Sequence, residues 1–240
     1  MKKKLVSLQD SITDLQNAMP GLRGLQTDFN SSNLHIGKIL IVAEQINFGY
    51  ISSSLWQFPM DIQVRSGDRI HISGNNGSGK TTLVKLLLGE LEPTAGTIMR
   101  TGFSYLYIDQ ECSVIDPRLT VFEQTERFNT GNWAEHELKS ILNRYLFPYD
   151  TWDKGCACLS GGEKIRLLFC CLMIGNNAPD VFILDEPTNN LDIQSVEIIT
   201  AAIRSYRGTV LLISHDHYFV KEIKINRSIK LFDTGSVIKI

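Results

Sequence analysis

The sequence predicts an α/β fold, a sheet covered by helices on both faces and interrupted by one glycine-rich loop. Two observations carry this. Val181-Phe182-Ile183-Leu184 and Thr209-Val210-Leu211-Leu212-Ile213 are continuous apolar runs set between helical stretches. That is how strands read when a sheet is buried on both sides. Arg69-Ile70-His71-Ile72-Ser73 alternates like a strand, the stretch Gly74 to Thr81 follows, and Thr82 to Leu88 reads as a helix stopped by Gly89.

The elements follow in order. Leu5, Leu8, Ile12, Leu15 and Met19 recur at spacings of three, four, three and four, an a/d seam that predicts a helix ended by Pro20-Gly21. Two heptads do not make an independent coiled coil, so this helix needs a partner: its own domain, or the other half of a helical hairpin. Residues 21–37 are rich in Gly, Ser and Asn and read as a connector. Ile39 to Ala43 opens a β-rich stretch that runs through Asp61 to Val64, with a turn at Ser66-Gly67-Asp68. Short strands return over residues 97–109. Residues 117–150 read as mostly helical, best from Glu135 to Tyr145, and helices alternate with the two apolar strands over residues 163–220. There is no internal repeat.

Bulk properties narrow the classes. At 240 residues, 43% hydrophobic and 21% charged, the chain suits one large soluble domain with at most a short appendage. The formal charge of −2 argues against a simple polybasic binder. Cys112, Cys156, Cys158, Cys170 and Cys171 fit no zinc spacing and read as reduced thiols used as small core residues, which points to a cytoplasmic protein. The longest apolar run, Leu167 to Ile174, is about half of the roughly 18 residues that span a membrane. Lys2-Lys3-Lys4 leads into polar residues, not a secretory signal.

Three motifs carry chemistry. Gly74-Asn75-Asn76-Gly77-Ser78-Gly79-Lys80-Thr81 fits G-x-x-x-x-G-K-[ST] between a strand and a helix. Its backbone N–H groups and helix N-terminus suit the phosphates of a nucleoside triphosphate. Lys80 supplies a point charge for the β- and γ-phosphates, and Thr81, followed by Thr82, offers a hydroxyl to Mg2+. The second motif is Asp185-Glu186, two carboxylates at the end of an apolar strand, where ligands sit in open α/β sheets. Asp185 suits the Mg2+ shell, and Glu186 is free to polarise an attacking water. In the third, Leu159-Ser160-Gly161-Gly162-Glu163, Ser160 and Glu163 form a capping box, and the two glycines fit a helix end bared for an anion.

The order of glycine loop, Gln110, Leu-Ser-Gly-Gly-Glu, the Asp185-Glu186 strand and Ser214-His215-Asp216 resembles the ATP-binding cassette (ABC) nucleotide-binding domain from about residue 38 onward. The resemblance implies a P-loop NTPase fold with an antiparallel β subdomain, a largely parallel core sheet flanked by helices and a helical signature subdomain. By the same resemblance Tyr50, or less well Phe48, stacks on adenine. Gln110 touches Mg2+ and the attacking water. Ser160, Gly161 and Gly162 bind the γ-phosphate held by a second cassette, Leu191-Asp192 crosses the dimer, and His215 contacts the γ-phosphate. Two cassettes then pack head to tail around two ATP molecules.

Asn189-Asn190 and Ser214 to Phe219 resemble the class F form, as does Glu163 in the signature, although class F chains more often carry His where Asn190 stands. That implies no transmembrane segment and action on the ribosome, through tRNA, in translation or antibiotic resistance. On this reading residues 1–34 are a helical linker remnant plus connector, residues 35–240 are the C-terminal cassette, and a first cassette lies elsewhere on the same chain. The alternatives are the ATPase subunit of a membrane transporter, and a non-enzymatic phosphate-binding scaffold, which the presence of both Asp185 and Glu186 disfavours.

Overall fold

The computed structural model describes residues 34–50, 53–109, 111–175, 178–231 and 237–239. The predicted N-terminal helix lies outside them. Strands are β1 Ile39–Asn47, β2 Gly49–Tyr50, β3 Ser53–Ser54, β4 Met60–Arg65, β5 Arg69–Ser73, β6 Ala95–Arg100, β7 Tyr105–Ile108, β8 Val181–Asp185, β9 Thr209–Ile213, β10 Arg227–Leu231 and β11 Val237–Lys239. Helices are α1 Lys80–Leu88, α2 Val121–Arg127, α3 Glu135–Arg144, α4 Gly161–Gly175, α5 Ile193–Ser205 and α6 His217–Glu222.

Three sheets form. One is antiparallel, in the order β4-β1-β6, and one is the small hairpin of β2 and β3. The central sheet runs β11-β10-β5-β9-β8-β7, parallel from β10 to β7, with β11 antiparallel at its edge. The fold is therefore the expected P-loop NTPase type: a β subdomain, a mixed core sheet and a helical region.

Alternation divides the apolar strands between two cores. Val181, Ile183, Leu211 and Ile213 pack with Leu83, Val84 and Leu87 of α1 and with Ile41, Ala43 and Ile62 of the antiparallel sheet. Phe182, Leu184, Val210 and Leu212 point the other way, toward α4, α5 and α6, in the core that also holds Leu142 of α3 and Val121 of α2. Period-two geometry makes each of these strands a shared wall.

Local chemistry sets the helix ends. Gly89, with φ +84°, ends α1 in the left-handed region, and its N–H bonds Leu86. The guanidinium of Arg100 donates to Leu87 O at 3.0 Å and Leu86 O at 2.5 Å, satisfying two carbonyls that the helix leaves open. Thr120 and Glu123 form the capping box of α2.

Two expectations need correcting. Cys112, Cys156, Cys170 and Cys171 are buried, but Cys158 is exposed, so it is not a core residue; it lies on a one-turn 3-10 helix whose Cys156 takes the buried face. β10 also has no counterpart among the predicted strands. Its sequence is mostly polar because only Ile229 and Leu231 pack inward, yet it pairs with β5 along Arg227 to Lys230. No helix among the described residues is long and apolar enough to cross a membrane.

Phe182 is fully buried, 4.6 Å edge-on from Tyr206 and 6.2 Å from Phe169. Phe182→Ala is expected to cost about 3–5 kcal/mol through lost burial and the cavity left behind. Urea denaturation followed by circular dichroism measures it.

Candidate functional site

The parallel register brings the C-terminal ends of three strands level. Ile72 of β5 lies opposite Ile213 of β9, and Ile213 opposite Asp185 of β8. The glycine loop leaves β5, Asp185 ends β8 with Glu186 just beyond it, and Ser214-His215 follow β9. A cleft of about 430 Å³ opens there, lined by Leu55, Asn76, Gly77, Gly79, Lys80, Thr81, Thr82, Asp185, Glu186 and Ile213.

The loop's shape depends on its glycines. Gly77 and Gly79 take φ of +84° and +89°, and a Cβ on Gly79 would sit 2.6 Å from Leu55 Cδ2. The indole N–H of buried Trp56 donates to Ser78 O at 3.1 Å, pinning the loop from beneath. Asn47 holds Trp56 in turn: its side-chain amide donates to Trp56 O at 2.7 Å. The Lys80 ammonium donates to Gly74 O at 2.8 Å and Asn75 O at 3.0 Å, folding over the loop it belongs to.

Asp185 faces the N-terminus of α1. Its Oδ2 accepts from Thr81 Oγ1 at 3.3 Å and from the Tyr107 hydroxyl at 2.6 Å. Burial, and then the bond to Asp185, push the Tyr107 phenol well above its ordinary range, so it stays a donor. Two octahedral Mg2+ ligands stand about 3 Å apart. The Thr81–Asp185 pair therefore fits a hard divalent cation held by two protein oxygens and completed by phosphate and water. Among the described residues no group of three or more His, Cys, Asp or Glu could hold a metal alone, so a cation here needs its other ligands from a substrate.

Glu186 sits one residue beyond the strand with φ +51°, an uncommon conformation for a side chain of its size. Its N–H bonds Ile213 O at 2.8 Å, which ties the turn to β9. Its carboxylate accepts from His215 N at 3.2 Å and lies 3.4 Å from His215 Nε2. The Glu186 side chain is 11% exposed and that of His215 61%, so the histidine covers the carboxylate and meets solvent itself.

The predicted signature lies apart from this cleft. Ser160, Gly161 and Gly162 line none of it. Ser160 and Glu163 make the expected capping box, with Glu163 N to Ser160 Oγ at 3.2 Å and Ser160 N to Glu163 Oε2 at 2.7 Å. Burial raises the Glu163 carboxyl, but Lys154 at 2.9 Å and the Ser160 bonds outweigh that and hold it below its usual range. The second glycine has a further reason beyond baring a helix end. A Cβ on Gly162 would fall 2.7 Å from Ser195 Oγ and 2.9 Å from Asp192 Oδ2, whereas one on Gly161 meets nothing closer than 4.0 Å. Asp192 caps α5 through Ser195 N at 2.8 Å, so the α5 cap is packed onto the start of α4.

Tyr50 ends β2, with its side chain outside the described residues, as is the whole of Gln110. Phe48 is buried in the core beneath and offers no free face. Tyr107, Trp56 and Leu55 were not legible as site residues. The contacts that bring them to the loop or to Asp185 join positions 20 or more residues apart, and only the alternation of Tyr105-Leu106-Tyr107-Ile108 hinted that Tyr107 turns toward the α1 side.

Residues 58–189 match the family model described as ABC transporter. ABC transporter F family member 5 of Arabidopsis thaliana is 38% identical over 200 residues, 82% of this chain and 28% of that protein. The ATP-binding protein Uup of Escherichia coli strain K12 is 37% identical over 188 residues, 77% of this chain and 29% of that protein. The chain thus spans less than a third of the length of these relatives. Among solved structures, a dimeric post-hydrolysis state of the ATP-binding cassette MJ0796 bound to ADP and Pi has a TM-score of 0.62 at 19% identity, covering 83% of this chain and 98% of that one. That likeness shows the fold.

The two glycines at the start of α4 should respond oppositely to a methyl group. Alanine ordinarily stabilises a helix by about 1 kcal/mol over glycine, and Gly161→Ala should hold or raise the melting temperature. Gly162→Ala should lower it, costing about 1–3 kcal/mol through overpacking on Ser195 and Asp192. Differential scanning calorimetry of the two variants separates them.

Proposed function

The chain belongs to the ABC transporter family, and from that premise we propose that it is a class F cassette that binds ATP with Mg2+ and hydrolyses it when paired with a second cassette. The observation that carries this is the convergence of Lys80, Thr81, Asp185 and Glu186 on one cleft, with His215 against Glu186 and Ser160 to Gly162 outside the cleft.

Lys80 leaves the two loop carbonyls for the β- and γ-phosphates, and the N–H groups of residues 76 to 82 take the phosphate oxygens at the N-terminus of α1. Thr81 and Asp185 hold the Mg2+, which when bound neutralises charge developing on the phosphates. Glu186 accepts a proton from a water as that water's oxygen bonds the γ-phosphorus. The bond from phosphorus to the bridging oxygen breaks, and ADP leaves with its electrons. His215 restrains the Glu186 carboxylate and is the proposed contact of the γ-phosphate. Tyr50 is the proposed adenine platform and Gln110 the proposed sensor of metal and water.

A helix N-terminus that closes no site of its own suits an anion presented by another cassette. We assign that role to Ser160, Gly161 and Gly162, with the second cassette supplied by a longer chain or by a second copy. From the class F resemblance of Asn189-Asn190 and of Ser214 to Phe219 we further propose work on the ribosome in translation or antibiotic resistance, from the cytoplasm, with residues 1–34 as linker and residues 35–240 as the C-terminal cassette. The rival is the ATPase subunit of a membrane transporter.

Glu186→Gln should leave ATP binding intact and slow turnover by roughly 100- to 10,000-fold, the usual worth of a general base. It should also trap an ATP-bound dimer visible by size-exclusion light scattering; unchanged phosphate release would place the base elsewhere. The same variant with ATP should co-sediment with ribosomes. Failure to do so, with recovery of a membrane partner instead, would favour the transporter subunit.

A further inference from the structure

Asp185 Oδ2 receives two donors from different elements. Thr81 Oγ1, from the start of α1, stands 3.3 Å away, and the Tyr107 hydroxyl, from edge strand β7, stands 2.6 Å away. β7 pairs with β8 in parallel, Tyr107 opposite Ile183 and Ile108 opposite Leu184, so Tyr107 lies two positions short of Asp185 on the neighbouring strand. Alternation sends Leu106 and Ile108 to the helical core and Tyr107 to the α1 side.

The Tyr107 ring packs against the core beneath the cleft. Phenylalanine would fill that space equally well, so packing does not account for the hydroxyl. What the hydroxyl adds is a short bond to one oxygen of one carboxylate. An ionised carboxylate has about four lone-pair sites, two on each oxygen. With one of those on Oδ2 held by a partly buried group on edge strand β7, the carboxylate cannot turn freely about its Cβ–Cγ bond. The remaining sites then stay aimed at the Thr81 side of the cleft. Outer-sphere donors of this kind orient metal-ligating carboxylates, and their loss commonly costs about 10–100-fold in metal affinity.

We propose that Tyr107 is a positioning residue for the Mg2+ site: its hydroxyl fixes the Asp185 carboxylate in the orientation that, with Thr81, holds the cation. This rests on the nucleotide-site reading above. It assigns a part of the metal site to β7, an element that contributes nothing to the lining of the phosphate cleft.

The test compares the wild-type chain with Tyr107→Phe by titrating a fluorescent trinitrophenyl analogue of ATP, first in EDTA and then at rising Mg2+. The half-saturating Mg2+ concentration for the enhanced nucleotide affinity should rise about tenfold or more. Affinity in EDTA, where the carboxylate holds no metal, should change by less than about twofold. Electron paramagnetic resonance of Mn2+ bound with the analogue should show the same weakening. An unchanged or lowered Mg2+ midpoint overturns the proposal. So does an equal loss in EDTA, which would make Tyr107 a support of the cleft as a whole. Should Tyr107→Phe fail to fold, Tyr107→Met retains much of the packing without the hydroxyl and is read in the same way. A wild-type chain whose nucleotide affinity ignores Mg2+ brings down both the nucleotide-site reading and this one; a wild type that responds, matched by Tyr107→Phe, brings down this one alone.

Discussion

Parallel pairing of β5, β9 and β8 is the constraint on which the molecule depends. Each of these strands is too apolar on its buried positions to face water, and β8 and β9 are apolar on both faces. Burial of both faces at about 25 cal/mol per Å² forces α4, α5 and α6 onto one side and α1 with the antiparallel sheet onto the other. Once the pairing is in register, the strand ends are in register too. Loop, carboxylates and histidine then meet without any of them having to attract the others. The chemistry is placed by the hydrophobic effect acting on Val181 to Leu184 and Val210 to Ile213.

The glycine loop shows how a polar site is held on that scaffold. It has few contacts of its own, and its conformation rests on Trp56 from below and Leu55 from the side, with Asn47 holding the Trp56 backbone. The ammonium of Lys80 is already satisfied by two loop carbonyls. An entering phosphate exchanges those bonds for stronger charge-assisted ones. The shape of the loop is thus set by its glycines and by the side chains that touch it.

Much of this was legible in the sequence because the signals are local. The strand-loop-helix at residues 69–88, the Ser160–Glu163 capping box and the two apolar strands each depend on neighbours within a few positions. Their structures agree, apart from α1 starting at Lys80 rather than Thr82. Contacts between distant positions left no such trace. Gly162 against Ser195, Tyr107 against Asp185 and Trp56 against Ser78 are products of the assembled fold, and no periodicity announces them. β10 was missed because, between β5 and the antiparallel β11, it needs little apolar surface to hold its place. Cys158 misled through composition: a thiol is usually buried, and one turn of 3-10 helix was enough to turn it outward.

The left-handed backbone at Glu186 has a bearing on local stability. Glycine takes that conformation without steric cost, and asparagine, which stands at φ +58° four residues later, takes it readily. A glutamate there carries a backbone cost of order 1–3 kcal/mol, and the chain carries the same kind of cost at Gln45, Cys112, Leu146 and Lys224. The turn that presents the Glu186 carboxylate is thus a local stability deficit, not a relaxed one.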